Sequence, residues 1–243
     1  MISFKQFVSE SISDKGIFKA IFIVGIPGAG KSHTQTKLHG QVSPRIINTD
    51  RAVEYLSKKF GKPVNSETWP DFKDSAHRIT AGALQGYLDG ALPLFIDGTS
   101  NDVSNILSRV GILESLGYDV GMVYINASLE TAIKRAQARA QKNNRHVDEE
   151  FIRRVHALSE ENKAYFKSKF SFYKEITNDD NTLTDELLQS AFKGVQGFFN
   201  EELHNPVGKR IKEKMITQKE KFLTPNIFTP ETLKKKLDGW YRE

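Results

Sequence analysis

The sequence contains no cysteine, which excludes disulfide bridges and thiolate metal sites and suits a reducing compartment. It also lacks any apolar run near the roughly 20 residues that a membrane-spanning helix needs. Its first residues carry Lys5, Glu10, Asp14, Lys15 and Lys19, without the uninterrupted apolar centre of a secretory leader. There is no internal repeat and no long low-complexity segment. These absences lead us to expect a cytoplasmic protein (host cytoplasm, if its source is viral) with no membrane partner. What is present is 243 residues, 38% hydrophobic and 27% charged, enough for one α/β domain and an appendage.

Charge is unevenly spread. Residues 205–243 hold ten basic and five acidic residues, an excess equal to the net charge of +5 of the whole chain, so residues 1–204 balance to zero. A basic segment on a neutral body points to a polyanionic partner, nucleic acid or a nucleotide-like acceptor; a solvated lysine-rich helix pair accounts for it equally well. The sequence leaves open whether this segment binds nucleic acid or protein.

The most informative segment is Gly25-Ile26-Pro27-Gly28-Ala29-Gly30-Lys31-Ser32, which satisfies G-x-x-x-x-G-K-[ST] at every fixed position. The apolar run Ala20-Ile21-Phe22-Ile23-Val24 precedes it, and Ser32-His33-Thr34-Gln35 reads as a helix start. Glycines let the chain curl so that backbone N–H groups face phosphate oxygens. Gly25, Gly28, Ala29, Gly30, Lys31, Ser32 and His33 are therefore the candidate ATP-binding residues. Lys31 reaches the β- and γ-phosphates, and the Ser32 hydroxyl is a ligand for Mg²⁺.

Short apolar runs predict strands near 20–25, 45–48, 93–97, 120–125 and 171–176. Apolar stripes at helical spacing run through Ile79–Leu88, Val103–Leu113, Leu129–Ala136 and Leu187–Phe199. Alternating strands and helices predict an α/β fold with a parallel sheet covered on both faces and the site at the C-terminal strand ends. Phe4, Phe7, Val8 and Ile12 predict an amphipathic helix within 1–17. A catalytic body follows over 18–204, and 205–243 is a helical extension that Asn205-Pro206-Val207-Gly208 separates from the preceding helix.

Two aspartates close strand candidates. Asp50 ends the second, which we expect beside the P-loop strand, where it suits the task of taking the acceptor proton. Asp97 ends the third and suits the metal or acceptor. For each, a turn or capping role is the alternative. The basic run Lys134, Arg135, Arg139, Lys142, Arg145 and His146 predicts a lid over about 134–147. Its guanidinium groups are suited to a charge-dispersed phosphoryl transition state. The alternative is a surface ladder supported by Glu130 and Lys134, four residues apart.

The P-loop, Asn48-Thr49-Asp50, Phe95-Ile96-Asp97-Gly98-Thr99, Gly117-Tyr118-Asp119-Val120-Gly121-Met122-Val123 and the three lid arginines occur in an order similar to one group of P-loop kinases. That group holds the zeta toxins and the 5′-hydroxyl polynucleotide kinases, and the similarity covers roughly residues 18–178. It implies a P-loop NTPase of nucleoside-kinase type with a five-stranded parallel sheet flanked by helices. It also implies Asp50 as catalytic base, Lys31, Arg135, Arg139 and Arg145 on the phosphates, and Asn178 near the adenine. Asp97, Thr99, Asn101 and Arg51 fall on the acceptor side. Zeta toxins carry a substrate arginine where Asn101 stands, and polynucleotide kinases carry an arginine after the base that Arg51 matches in position only roughly. The opening Ile2-Ser3-Phe4-Lys5-Gln6-Phe7 resembles the starts of many proteins of large tailed phages.

These observations lead to the expectation of an ATP- and Mg²⁺-dependent kinase acting on a hydroxyl of a nucleic acid or nucleotide-like acceptor. A zeta-like UDP-N-acetylglucosamine kinase is the second reading. A nucleotide-binding interaction module without turnover is the third.

Overall fold

Five short runs of branched and aromatic residues pair into one parallel sheet in a computed structural model that describes residues 16–143, 146–179 and 184–223. The strands are β1 (Lys19–Val24), β2 (Arg45–Ile47), β3 (Leu94–Gly98), β4 (Asp119–Asn126) and β5 (Tyr173–Thr177). Their order across the sheet is β2-β3-β1-β4-β5, and every neighbouring pair is parallel. Helices fill the connections: α1 (Lys31–Lys37), α2 (Thr49–Phe60), α3 (Trp69–Asp89), α4 (Val103–Ser115), α5 (Leu129–Asn143), α6 (Glu149–Lys169), α7 (Asp185–Asn200) and α8 (Pro206–Leu223). No helix among the described residues is long and apolar enough to cross a membrane.

The sheet is covered on both faces, which is why β1 reads as an unbroken apolar run rather than an alternation. Ile21 and Ile23 face one core with Ala132 and Ala136 of α5 and Val195 and Phe199 of α7. Phe22 and Val24 face the other, with Ile106 of α4, Phe166 of α6 and the half-buried Met215 of α8. A third, smaller cluster joins α2 to α3 through Val53, Leu56, Phe72 and Ala76. Helices α2 and α3 thus form an arm with a core of its own.

Two expectations need correction. Strand β2 is the edge strand, and β3 lies between it and the P-loop strand β1, so Asp97 rather than Asp50 belongs to the strand beside the P-loop. Asp50 is not at a strand end either. Strand β2 stops at Ile47, Asn48 caps α2 by accepting the Arg51 N–H at 3.2 Å, and Asp50 lies in the first helical turn.

The lower rim, at the N-terminal strand ends, anchors the C-terminal helix. Lys19 is buried and donates to Asp119 at 2.8 Å, and Asp119 also accepts the backbone N–H groups of His204 and Asn205, each at 2.8 Å. The Asn205 side chain accepts from the Val207 N–H at 2.9 Å and donates to the Glu114 carbonyl at 2.8 Å. Asn205-Pro206 therefore starts a helix as cap and first residue, besides ending the segment before it. The expected helix within 1–17 falls almost wholly outside the described residues, as does the part of the extension beyond Leu223.

Candidate active site

At the opposite rim, β1 ends at Val24 and the P-loop wraps back to α1. Gly28 and Gly30 have φ values of 87° and 86°, in the left-handed region that side chains disfavour. Both are also closely packed from outside the loop. A Cβ on Gly28 would meet the Ala132 carbonyl oxygen at 2.1 Å, and one on Gly30 would meet Asn178 Nδ2 at 2.2 Å. Buried Ala29 donates its N–H to the Ile26 carbonyl at 3.1 Å, closing the turn. Lys31 Nζ donates to the carbonyls of Gly25 at 2.8 Å and Ile26 at 3.1 Å, so its ammonium is curled over the loop. Ser32 and His33 are exposed at the start of α1.

A cleft of about 390 Å³ opens over this loop. Its floor is Gly28, Gly30, Lys31, Ser32 and His33. One wall is made by Asn48, Asp50, Arg51 and Glu54 with Asp97, and the other by Arg135 and Arg139 of α5. Asn48 ties the acidic wall together, since Nδ2 donates to Asp97 Oδ2 while Oδ1 caps α2. Asp50 and Glu54 are one helical turn apart and so share a face of α2. The Arg51 charge extends to His39, whose imidazole titrates below its ordinary value because of burial first and Arg51 second.

Helix α5 lies against the loop. Arg135 Nη1 donates to the Asn178 carbonyl at 2.6 Å, and Asn178 Nδ2 donates to the Ala29 carbonyl at 2.7 Å. Asn178, expected beside the adenine, is thus 5% exposed, and its carboxamide is turned into the back of the P-loop. The next residue, Asp179, accepts the Ser128 N–H at 2.7 Å. Burial pushes its carboxyl up, but the Ser128 and Thr131 hydrogen bonds and the Arg135 charge outweigh this and hold it below the ordinary value. Past α5, the His146 N–H donates to the Val64 carbonyl at 2.9 Å, joining the segment after α5 to the loop between α2 and α3. Arg145 lies outside the described residues.

The structure brings Asp50, Arg51, Asp97, Lys31, Ser32, His33, Arg135 and Arg139 to one cleft, with Gly25 and Ala29 behind its floor. Thr99 and Asn101 do not line it. Ser100 between them is buried against α6, sharing a 2.6 Å hydrogen bond with Ser159 and accepting from Asn162 Nδ2 at 3.0 Å. That anchorage turns Asn101 inward, where its Oδ1 is buried without a hydrogen-bond partner. Sequence reasoning missed Asn48 and Glu54. An Asn just before the apolar-periodic Ala52-Val53-Leu56 was the available signal for a helix cap, and Glu54 follows Asp50 at i+4.

Among the described residues no three His, Asp or Glu side chains cluster to cage a metal. Mg²⁺ commonly takes one or two protein ligands together with substrate phosphates, and the hydroxyl and carboxylate of Ser32 and Asp97 in one cleft are the donor types it uses.

The family profile described as AAA domain matches residues 21–161, more than half of the chain. Among curated proteins, none matches it in sequence. Solved structures share its fold. A candidate kinase from Chloroflexus aurantiacus J-10-fl superposes with a TM-score of 0.55 at 15% identity, covering 74% of this chain and 98% of that one. A chain of the Pnkp1/Rnl/Hen1 RNA repair complex gives 0.51 at 19% identity, covering 71% of this chain and 52% of that one. A chain of the AvrRxo1-ORF1:AvrRxo1-ORF2 complex gives 0.55 at 18%, covering 70% and 58%. The fold is that of the P-loop kinases.

Proposed function

The chain belongs to the AAA domain family, and from that premise we propose that it is an ATP-dependent phosphotransferase. In this reading it moves the γ-phosphoryl group of ATP to a hydroxyl of a nucleic acid or nucleotide-like acceptor. The observation that carries the reading is one cleft with Lys31 and Ser32 on its floor, Asp50 on one wall, and Arg135 and Arg139 on the other.

The residues fit the groups they would hold. The loop is built from glycines at positions where a Cβ would collide with its support, and it ends in an ammonium and a hydroxyl. Lys31, which the loop carbonyls of Gly25 and Ile26 hold in place, exchanges these partners for phosphate oxygens. Ser32 and Asp97, the latter directly or through water, would hold Mg²⁺, which would supply neutralisation of phosphate charge when bound.

Asp50 accepts the proton of the acceptor hydroxyl. The acceptor oxygen forms its bond to the γ-phosphorus as the bond from that phosphorus to the β–γ bridging oxygen breaks, and the electron pair leaves with ADP. Arg135, fixed by the Asn178 carbonyl, and Arg139 one turn on counter the charge spread over the transferring group. The acceptor class is supported by exposed Arg51 beside Asp50 in the cleft.

The test is transfer of labelled γ-phosphate to unphosphorylated DNA and RNA oligonucleotides and to UDP-N-acetylglucosamine. We expect label on an oligonucleotide, lost in Lys31→Ala. Label on the sugar nucleotide alone would refute the acceptor class, and ATP binding with no acceptor labelled would refute turnover.

A further inference from the structure

We propose that the outer face of α2 is a track for a single-stranded nucleic-acid acceptor, leading it into the cleft at Asp50; this rests on the function proposed above. Arg51 belongs to the cleft wall and is itself exposed. At i+4 from it stands Tyr55, 59% exposed, and Lys58 and Lys59, both exposed, follow at i+7 and i+8. By helical spacing these four residues form one stripe. The opposite side of the helix is fixed, because Ala52, Val53 and Leu56 are buried in the cluster shared with α3. The stripe therefore has one orientation, and it is continuous with the cleft.

Its chemistry is that of single-strand binding, with cations for phosphates around an aromatic face on which an unpaired base can stack. From Asp50 to Lys58 the helix rises about 12 Å, room for about three stacked nucleotides beyond the one whose hydroxyl reacts. Glu54 stands between Asp50 and Lys58 on the same side, which favours seating phosphates at the two ends of the stripe and a base, not a phosphate, at its middle. Lys59 Nζ also lies 5.8 Å above the Phe60 ring, which is 60% exposed and widens the apolar surface at the far end.

The other basic surface is less well placed. Helix α8 starts at the lower rim, where Asn205 and Asp119 hold it, about 20 Å along the strands from the P-loop. Its Arg210, Lys212 and Lys214 serve as the comparison.

The experiment measures phosphorylation of a dinucleotide and of a 12-mer, each unphosphorylated at both ends, by the full chain. Variants are Tyr55→Ala, Tyr55→Phe, the Lys58→Ala/Lys59→Ala pair and the Arg210→Ala/Lys212→Ala/Lys214→Ala triple. We expect Tyr55→Ala to raise KM for the 12-mer about 5- to 160-fold, with kcat and the dinucleotide KM unchanged, and Tyr55→Phe to restore it. Removing both lysines should flatten the slope of log KM against log salt by about 1.4. The triple variant should leave the 12-mer KM unchanged. Equal wild-type KM values for the two acceptors, an unaffected 12-mer KM in Tyr55→Ala, or an effect confined to the triple variant would each overturn the track and leave the kinase reading standing. Failure to label either acceptor, with label on another hydroxyl compound, would overturn the nucleic-acid reading itself and the track with it.

Discussion

Replacing Gly28 by alanine perturbs the P-loop and α5 at once. The new methyl group would sit 2.1 Å from the Ala132 oxygen, 2.8 Å from its carbonyl carbon and 2.9 Å from its Cα, all backbone atoms that no side-chain rotation can clear. Relief requires α5 to withdraw by about 1 Å to reach ordinary contact. The φ of 87° adds about 1–2 kcal/mol for a residue with a Cβ, and overpacking adds about 1–3 kcal/mol. The sum, roughly 2–5 kcal/mol, corresponds to a fall in Tm of roughly 4–20 °C for a chain of this size. Arg135 and Arg139 ride on the displaced helix, and a 1 Å misplacement of such groups can cost about 100-fold in rate. Thermal melting and single-turnover transfer on the same preparation measure both effects. A Gly28→Ala protein that melts and turns over like wild type would refute the idea that α5 is registered on the loop.

Three other substitutions separate roles that the structure assigns. Asn48→Asp keeps an acceptor for the Arg51 N–H but sets a carboxylate against Asp97. Loss of the amide donor to Asp97 should cost about 1.5–3 kcal/mol of stability, and kcat should fall at least about tenfold; an unchanged kcat would contradict it. Asn178→Ala leaves the buried Ala29 carbonyl without its donor, at a cost of about 1–3 kcal/mol, and should weaken ATP binding by titration calorimetry; unaltered affinity would contradict it. Burial raises the Asp119 carboxyl, but the His204 N–H, Lys19 and the Asn205 N–H outweigh that and hold it below its ordinary value. Its contribution is therefore complete above the unfolded value of about 3.9 and is lost as pH falls through the lower folded value. The stability gap between wild type and Asp119→Asn should shrink on acidification, and a gap that widens would contradict this.

Strands β1 and β3 were legible because their buried runs, Ala20–Val24 and Leu94–Ile96, are apolar on both faces and bounded by polar turns. The P-loop was legible because its residue types follow from phosphate geometry. Helix α2 was not, since Asn48-Thr49-Asp50 follows directly on β2 and reads as its continuation until the Asn48 cap is seen. The first ten residues of α3 were hidden by Pro70, which is harmless in a first helical turn. Strand order is set by crossovers, which local patterns do not encode, so the placing of β3 between β1 and β2, and with it the Asn48–Asp97 contact, came only with the structure. The inward turn of Asn101 had the same origin, in the long-range Ser100–Ser159 hydrogen bond.

The most direct measurement is the single-turnover rate of γ-phosphoryl transfer to an unphosphorylated oligonucleotide by wild type and Asp50→Asn, with ATP affinity measured in parallel. If Asp50 takes the acceptor proton, the variant should bind ATP as wild type does and transfer about 100-fold or more slowly. Equal transfer rates at equal ATP affinity would contradict the role given to Asp50 and the cleft arrangement proposed around it.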